Sequence, residues 1–113
     1  MKPEITYDIF SQVDLRVGTI LTAERIPKSN KLLKLQVSFG DFERQILAGI
    51  GSPNIGYVPE TLPGRQLLFV VNLAPRMMMG FESHGMVLAV PGEGGTLGVL
   101  SSNLTVPDGA SAG

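Results

Sequence analysis

Cysteine and tryptophan are both missing from this sequence, and there is one histidine, His84. Without cysteine the chain cannot form disulfides, thiolate metal sites or a cysteine nucleophile. One histidine excludes a multi-histidine metal centre. Charge is sparse: charged residues make up 17% of the 113 residues, and nine Lys plus Arg face ten Asp plus Glu, a net charge of −1. A domain that is basic overall is thereby excluded, so any nucleic-acid binding must come from a local patch. No apolar run reaches the ~18–20 residues that a membrane helix needs, so no membrane partner is expected. The opening MKPEITYDIF lacks a signal peptide's apolar core, and a cytoplasmic location is expected. The hydrophobic share of 43% argues against long-range disorder. The length predicts one domain over 1–113, with a core at about 5–106 and a flexible tail at 107–113.

Glycine and proline together account for 22 residues and break the apolar runs into short pieces. That pattern predicts a small all-β fold. Thr6 is placed to cap one helical turn over Tyr7 to Phe10, with Asp8 in its first turn. From Val13 the pattern has period two. Val13, Leu15, Val17, Thr19, Leu21 and Ala23 are expected to face the core, with Ile20 breaking the alternation. Gly18 within this strand marks a bend or bulge. Leu33, Leu35, Val37 and Phe39 alternate in a second strand, and Phe42 to Ile50 reads as a third, joined to it by a turn at Gly40-Asp41. An irregular excursion with one helical turn is expected over 51–64. Continuous apolar strands follow at Leu67 to Leu73 and Met86 to Val90, and a short one at Thr96 to Leu100. Five main strands with a long break between the third and fourth fit a five-stranded Greek-key barrel of the OB type, with the short N-terminal helical turn and extra C-terminal strand elements. A generic β-sandwich is the alternative on pattern alone.

Charge is unevenly placed. Arg25, Lys28, Lys31 and Lys34 occur with no acid between them. From Arg16 to Gly80 eight basic residues face four acids, while most of the other acids lie toward the two ends. A lysine-rich loop is usually only a solvated surface. Here it enters the second strand, and OB barrels bind oligonucleotides across the face of strands two and three. Lys28, Asn30 and Lys31 in the loop, with Lys34 and Arg44 on the hairpin strands, are therefore candidate RNA-binding residues.

The segment NLAPRMMMGFESHGM, Asn72 to Met86, places Met77, Met78 and Met79 between Pro75 and Gly80. The bracketing residues predict a loop crossing the barrel, with at least one methionine near the surface. Methionine fills irregular gaps, so packing against the core and a soft contact surface are both open readings. Met78 joins the candidates on the second.

Catalysis finds little support. Ser83 and His84 are adjacent, and neighbours on a strand point to opposite faces, so they cannot act as nucleophile and base. No nucleophile elbow, P-loop or dinucleotide fingerprint occurs. No enzyme activity, metal or cofactor is expected.

The stretches ITYDIFSQVDLRVGTILTAERIPKSNKLLKLQVSFG, QILAGI, YVPETLPGR and VNLAPRMMMGFESHGMVLA resemble the OB-fold tRNA-binding domain family. The string at Asp14 to Gly18 and the block from Asn72 to Met86 are its most characteristic parts, and the resemblance runs from about Ile5 to Val106. Its members include the C-terminal part of many methionyl-tRNA synthetases and a free-standing, structure-specific tRNA-binding protein. The resemblance implies an OB barrel, often a homodimer, that recognises the outer corner of tRNA by shape. It implies RNA contacts at Lys31, at Asn72 and Arg76, and at Ser83, Gly85 and Met86. Where the family usually carries a lysine after the Pro-Arg pair, this chain has Met77. A separately encoded aminoacyl-tRNA synthetase is an implied partner. The alternative, a sister branch of the same fold, is the CsaA-type secretion chaperone, which would bind unfolded polypeptide.

Overall fold

The computed structural model describes residues 1–53 and 56–113. Thr6 Oγ1 accepts a hydrogen bond from the Ile9 N–H at 3.3 Å and starts α1 (Tyr7–Phe10), the capped turn expected from the sequence. The chain then forms β1 (Leu15–Arg25), β2 (Leu33–Ser38), β3 (Glu43–Ala48) and β4 (Gln66–Val70). A hairpin follows, β5 (Arg76–Met78) with β6 (Phe81–Ser83), and then β7 (Met86–Val87). β8 (Ala89–Pro91) pairs with β9 (Leu97–Val99), and β10 (Ser111–Ala112) pairs with β1. Strands β3-β2-β1-β4-β7 form one antiparallel sheet in that order. The sheet curls into a nearly closed barrel, and at its seam the His84 N–H donates to the Gln45 carbonyl at 2.9 Å. The excursion at 51–64 holds one 3₁₀ turn, Pro59–Thr61, as expected; its positions 54 and 55 lie outside the described residues. No helix among the described residues is long and apolar enough to cross a membrane.

Ile20, Leu33, Leu35, Val37, Phe39, Ile46, Leu67 and Phe69 fill the barrel. Each such side chain contributes roughly 1.5–3 kcal/mol by leaving water. Phe39 meets Phe69 edge-on at 5.5 Å and stacks with Phe42 at 5.1 Å. The turn after β2 passes through Gly40 at φ +89°, where an added Cβ would lie 3.0 Å from the Asp108 carbonyl oxygen. Glycine is needed there for both reasons.

Two expectations are corrected, and the terminal segment makes contacts that its composition did not suggest. In β1 the expected inward face is wrong over much of the strand. Gly18 and Ile20 lie in the core, while Leu21 is 42% exposed. The pairing with β2 shifts register between Ile20 and Thr22, and such a bulge turns the following residues over, so Ile20 and Ala23 both pack inward. The methionine segment is a hairpin, with Met79 (φ 52°) and Gly80 (φ 84°) as a two-residue turn. Two consecutive left-handed residues suit the twist of a tight hairpin, which the Pro/Gly bracketing did not reveal. The segment 107–113 is hydrogen-bonded to the barrel. Asp108 Oδ1 accepts from Thr19 Oγ1 at 2.6 Å and from Gln66 Nε2 at 3.0 Å, and the Gly109 N–H donates to Val17 O at 2.7 Å. Partners this far away in sequence leave no mark on the tail's own composition.

Candidate nucleic-acid interface

The loop between β1 and β2 is built on apolar feet. Ile26 and Leu32 are buried, and between them Ser29 organises a tight turn: its N–H donates to Ile26 O, and its Oγ accepts from the Leu32 N–H at 3.0 Å. Pro27, Lys28, Asn30 and Lys31 are left exposed on top. Lys28 sits at φ 69°, in the left-handed region.

The β5–β6 hairpin packs beside this loop. Met78 and Phe81 cover a small cluster of Ile26, Leu32 and Leu47. The loop and the hairpin thus share one apolar base, which brings Lys28, Asn30 and Lys31 beside the strand that carries Arg76 and Met78. Lys34 joins them from β2, but it is already engaged. Its Nζ lies 2.8 Å from Glu24 Oε1 and 4.6 Å from the centre of the Phe81 ring. At the hairpin tip Met77 is 64% and Met79 51% exposed, so the surface reading of the methionines applies to those two, while Met78 packs inward.

Other candidates fall elsewhere. Ser83 is 2% exposed, and its Oγ accepts the Leu47 N–H at 3.0 Å. The hydroxyl thereby joins the hairpin to β3. Asn72 Oδ1 accepts the Asp14 N–H at 2.8 Å, and Asn72 Nδ2 donates to Gln12 O at 2.6 Å. Its side chain ties the start of β1 to the segment after β4. Arg44 registers with Val37, whose side chain is in the core, so it lies on the opposite face of the hairpin from Lys34. It leans over Phe42, 4.9 Å from the ring centre, and its Nη1 lies 2.7 Å from His84 Nε2. Gly85 (φ +135°) packs with no room for a side chain, since a Cβ would meet Ile46 and the Val70 carbonyl. Met86 is exposed on β7, paired with Val70 of β4.

The sequence reading also left residues out. Phe81 is the aromatic beneath the Lys34 ammonium, and its place in the block from Asn72 to Met86 was a usable signal. Arg25 Nη1 donates to Gly51 O at 2.6 Å and anchors the neighbouring excursion. Arg16 Nε donates to Asp14 at 2.9 Å, and that hydrogen bond raises the guanidinium pKa above its ordinary value. Among the described residues no group of three or more His, Asp or Glu side chains is arranged to hold a metal ion.

Known proteins with this sequence pattern and shape fit these observations. A family model described as "Putative tRNA binding domain" matches residues 15–111. A methionine–tRNA ligase of Chloroherpeton thalassium is 50% identical over 101 residues, which is 89% of this chain and 14% of the ligase. The chain therefore spans about one seventh of that relative's length. Among solved structures, a MetRS related protein from Pyrococcus horikoshii superposes with a TM-score of 0.88 at 36% identity, covering 98% of this chain and 99% of its own. The chaperone CsaA from Bacillus anthracis superposes with a TM-score of 0.86 at 32% identity, covering 98% of this chain and 100% of its own.

Proposed function

The chain belongs to the tRNA-binding domain family, and on that premise we propose that it holds tRNA on the surface shared by the β1–β2 loop and the β5–β6 hairpin. One observation carries this reading: Met78 and Phe81 pack onto Ile26, Leu32 and Leu47. That packing supports a reading in which Lys28, Asn30, Lys31 and Arg76 serve one surface. The cations suit phosphate oxygens, and the exposed Met77 and Met79 at the hairpin tip offer apolar contacts to unstacked bases. Recognition by the shape and charge of the folded RNA is what membership of the family implies. Lys34 contributes less, because Glu24 already neutralises it. The role is binding and not catalysis.

The rest of the reading follows the relatives. The domain acts beside an aminoacyl-tRNA synthetase in the cytoplasm, either joined to it or as a separate chain, and raises the local concentration of tRNA. It works as a homodimer. Support for this comes from α1, which buries no residue and leaves Ile5, Tyr7, Ile9 and Phe10 exposed. A second reading is polypeptide binding, favoured by the exposed Met77 and Met79 and by the likeness to CsaA.

A titration with bulk tRNA at low and moderate salt, with duplex RNA as competitor, tests the main reading. With about four phosphates neutralised, the log–log salt slope should be near −3 to −4. Lys31→Ala with Arg76→Ala should weaken binding and flatten that slope by about one for each lost contact. Unchanged affinity in the folded double variant would remove the proposed surface. An absence of tRNA binding at low salt, with protection of a denatured client from aggregation, would favour polypeptide binding.

A further inference from the structure

An open groove of about 490 Å³ is lined by Asp14, Arg16, Phe42, Arg44, His84 and the segment 71–75. Pro75 directly precedes Arg76 of β5, and His84 directly follows Ser83 of β6. Two guanidiniums are held there. Arg44 and Arg16 sit 4.9 Å and 5.9 Å from the centre of the Phe42 ring, whose other partner is Phe39. Packing against a fixed aromatic lowers the entropy that an arginine loses on binding a ligand. Among the described residues Arg44 has no carboxylate within ion-pair distance, and its near neighbour is the His84 ring. Arg16 meets Asp14 through Nε, which keeps the site's net charge low.

A forked, unpaired guanidinium is suited to a phosphate group. Phosphate alone would leave most of the groove unfilled, and Leu73, Ala74 and Pro75 offer it an apolar wall. We propose that this groove binds a single phosphorylated nucleotide unit, its phosphate on Arg44 and Arg16 and its base along the wall from Leu73 to Pro75. The shared chemistry has two sources: a free nucleoside monophosphate, or one unstacked nucleotide of a bound RNA. The site stands apart from the lysine loop, because Arg44 lies on the core-side face of β3.

The test is a titration of the intact protein with AMP at millimolar concentration, followed by NMR on the His84 ring and the Arg44 side chain. Adenosine and inorganic phosphate are the controls. AMP should move both signals saturably and more strongly than either control. Arg44→Ala should weaken binding by about tenfold or more, the usual loss of a charge-assisted hydrogen bond. Arg44→Lys keeps a stem over Phe42 and protects the test against misfolding; lacking the fork, it should weaken AMP as well. Displacement of AMP by bulk tRNA assigns the unit to the RNA, and retention assigns it to the free nucleotide; both uphold the site. No saturable shift in the wild type, or wild-type AMP affinity in both Arg44 variants, overturns it. A response lost in Lys31→Ala but kept in the Arg44 variants also overturns it, while leaving tRNA binding by the lysine loop intact.

Discussion

Gly18 lies where Phe39 and Val37 converge, and a Cβ at this position would stand 2.7 Å from each of them. Gly18→Ala should therefore destabilise the barrel by about 1–3 kcal/mol, seen as a lower urea midpoint, because the neighbours are core side chains with nowhere to move. The sequence marked Gly18 as a bend or bulge, whereas its role is to make room, and the bulge falls after Ile20. Ser83 shows a different gap between pattern and structure. Its place in the block from Asn72 to Met86 implied an RNA contact, yet its hydroxyl satisfies the buried Leu47 N–H. Ser83→Ala should cost about 1–3 kcal/mol in chemical denaturation, the penalty of an unpaired buried donor. At a temperature where the variant is folded, its tRNA affinity should stay near wild type; a loss of affinity at unchanged stability would return Ser83 to the RNA surface.

Among the elements, β2 was legible because alternation in six residues is a local signal. The C-terminal segment was not. Its small and polar residues read as a tail, but Thr19 and Asp108, 89 positions apart, are hydrogen-bonded, and Gly109 to Ala112 pairs with β1. Removal of residues 107–113 should lower stability by about 2–3 kcal/mol, since at least that many net hydrogen bonds are lost. In a domain of this size that corresponds to a fall in Tm on the order of 10 °C by calorimetry. An unchanged Tm would mean that the segment is laid on the barrel without holding it. The methionine hairpin belongs to the same scale. Proline and glycine around three methionines signalled a break in regular structure, whereas the turn itself is formed by Met79 and Gly80 in left-handed conformations.

For the whole molecule, a near-neutral chain presents its cations unequally. Lys28, Lys31 and Arg76 surround one apolar base, while Glu24 offsets Lys34 and Asp14 offsets Arg16. On the proposed reading this asymmetry permits salt-sensitive RNA binding despite the net charge of −1. The exposed apolar side chains of α1 make a further prediction. On the proposed homodimer reading, Tyr7→Asp with Phe10→Asp should convert dimer to monomer in sedimentation velocity while leaving the unfolding transition of the barrel in place, since no residue of α1 is buried. A double variant that sediments as the wild type would remove α1 from the association surface.

By itself the sequence determined the fold class, the capped turn at Thr6, the central hairpin and the lysine-rich loop, together with the resemblance that points to tRNA. These are short-range or motif-borne properties, written in alternation, capping chemistry and residue order. Only the tertiary structure decided that Ile20 faces inward, that the tail is clamped, that Ser83 is buried and that Arg44 turns away from Lys34. Each depends on a register shift or on a partner distant in the chain, and a one-residue change of register reverses every face that a period-two pattern assigns.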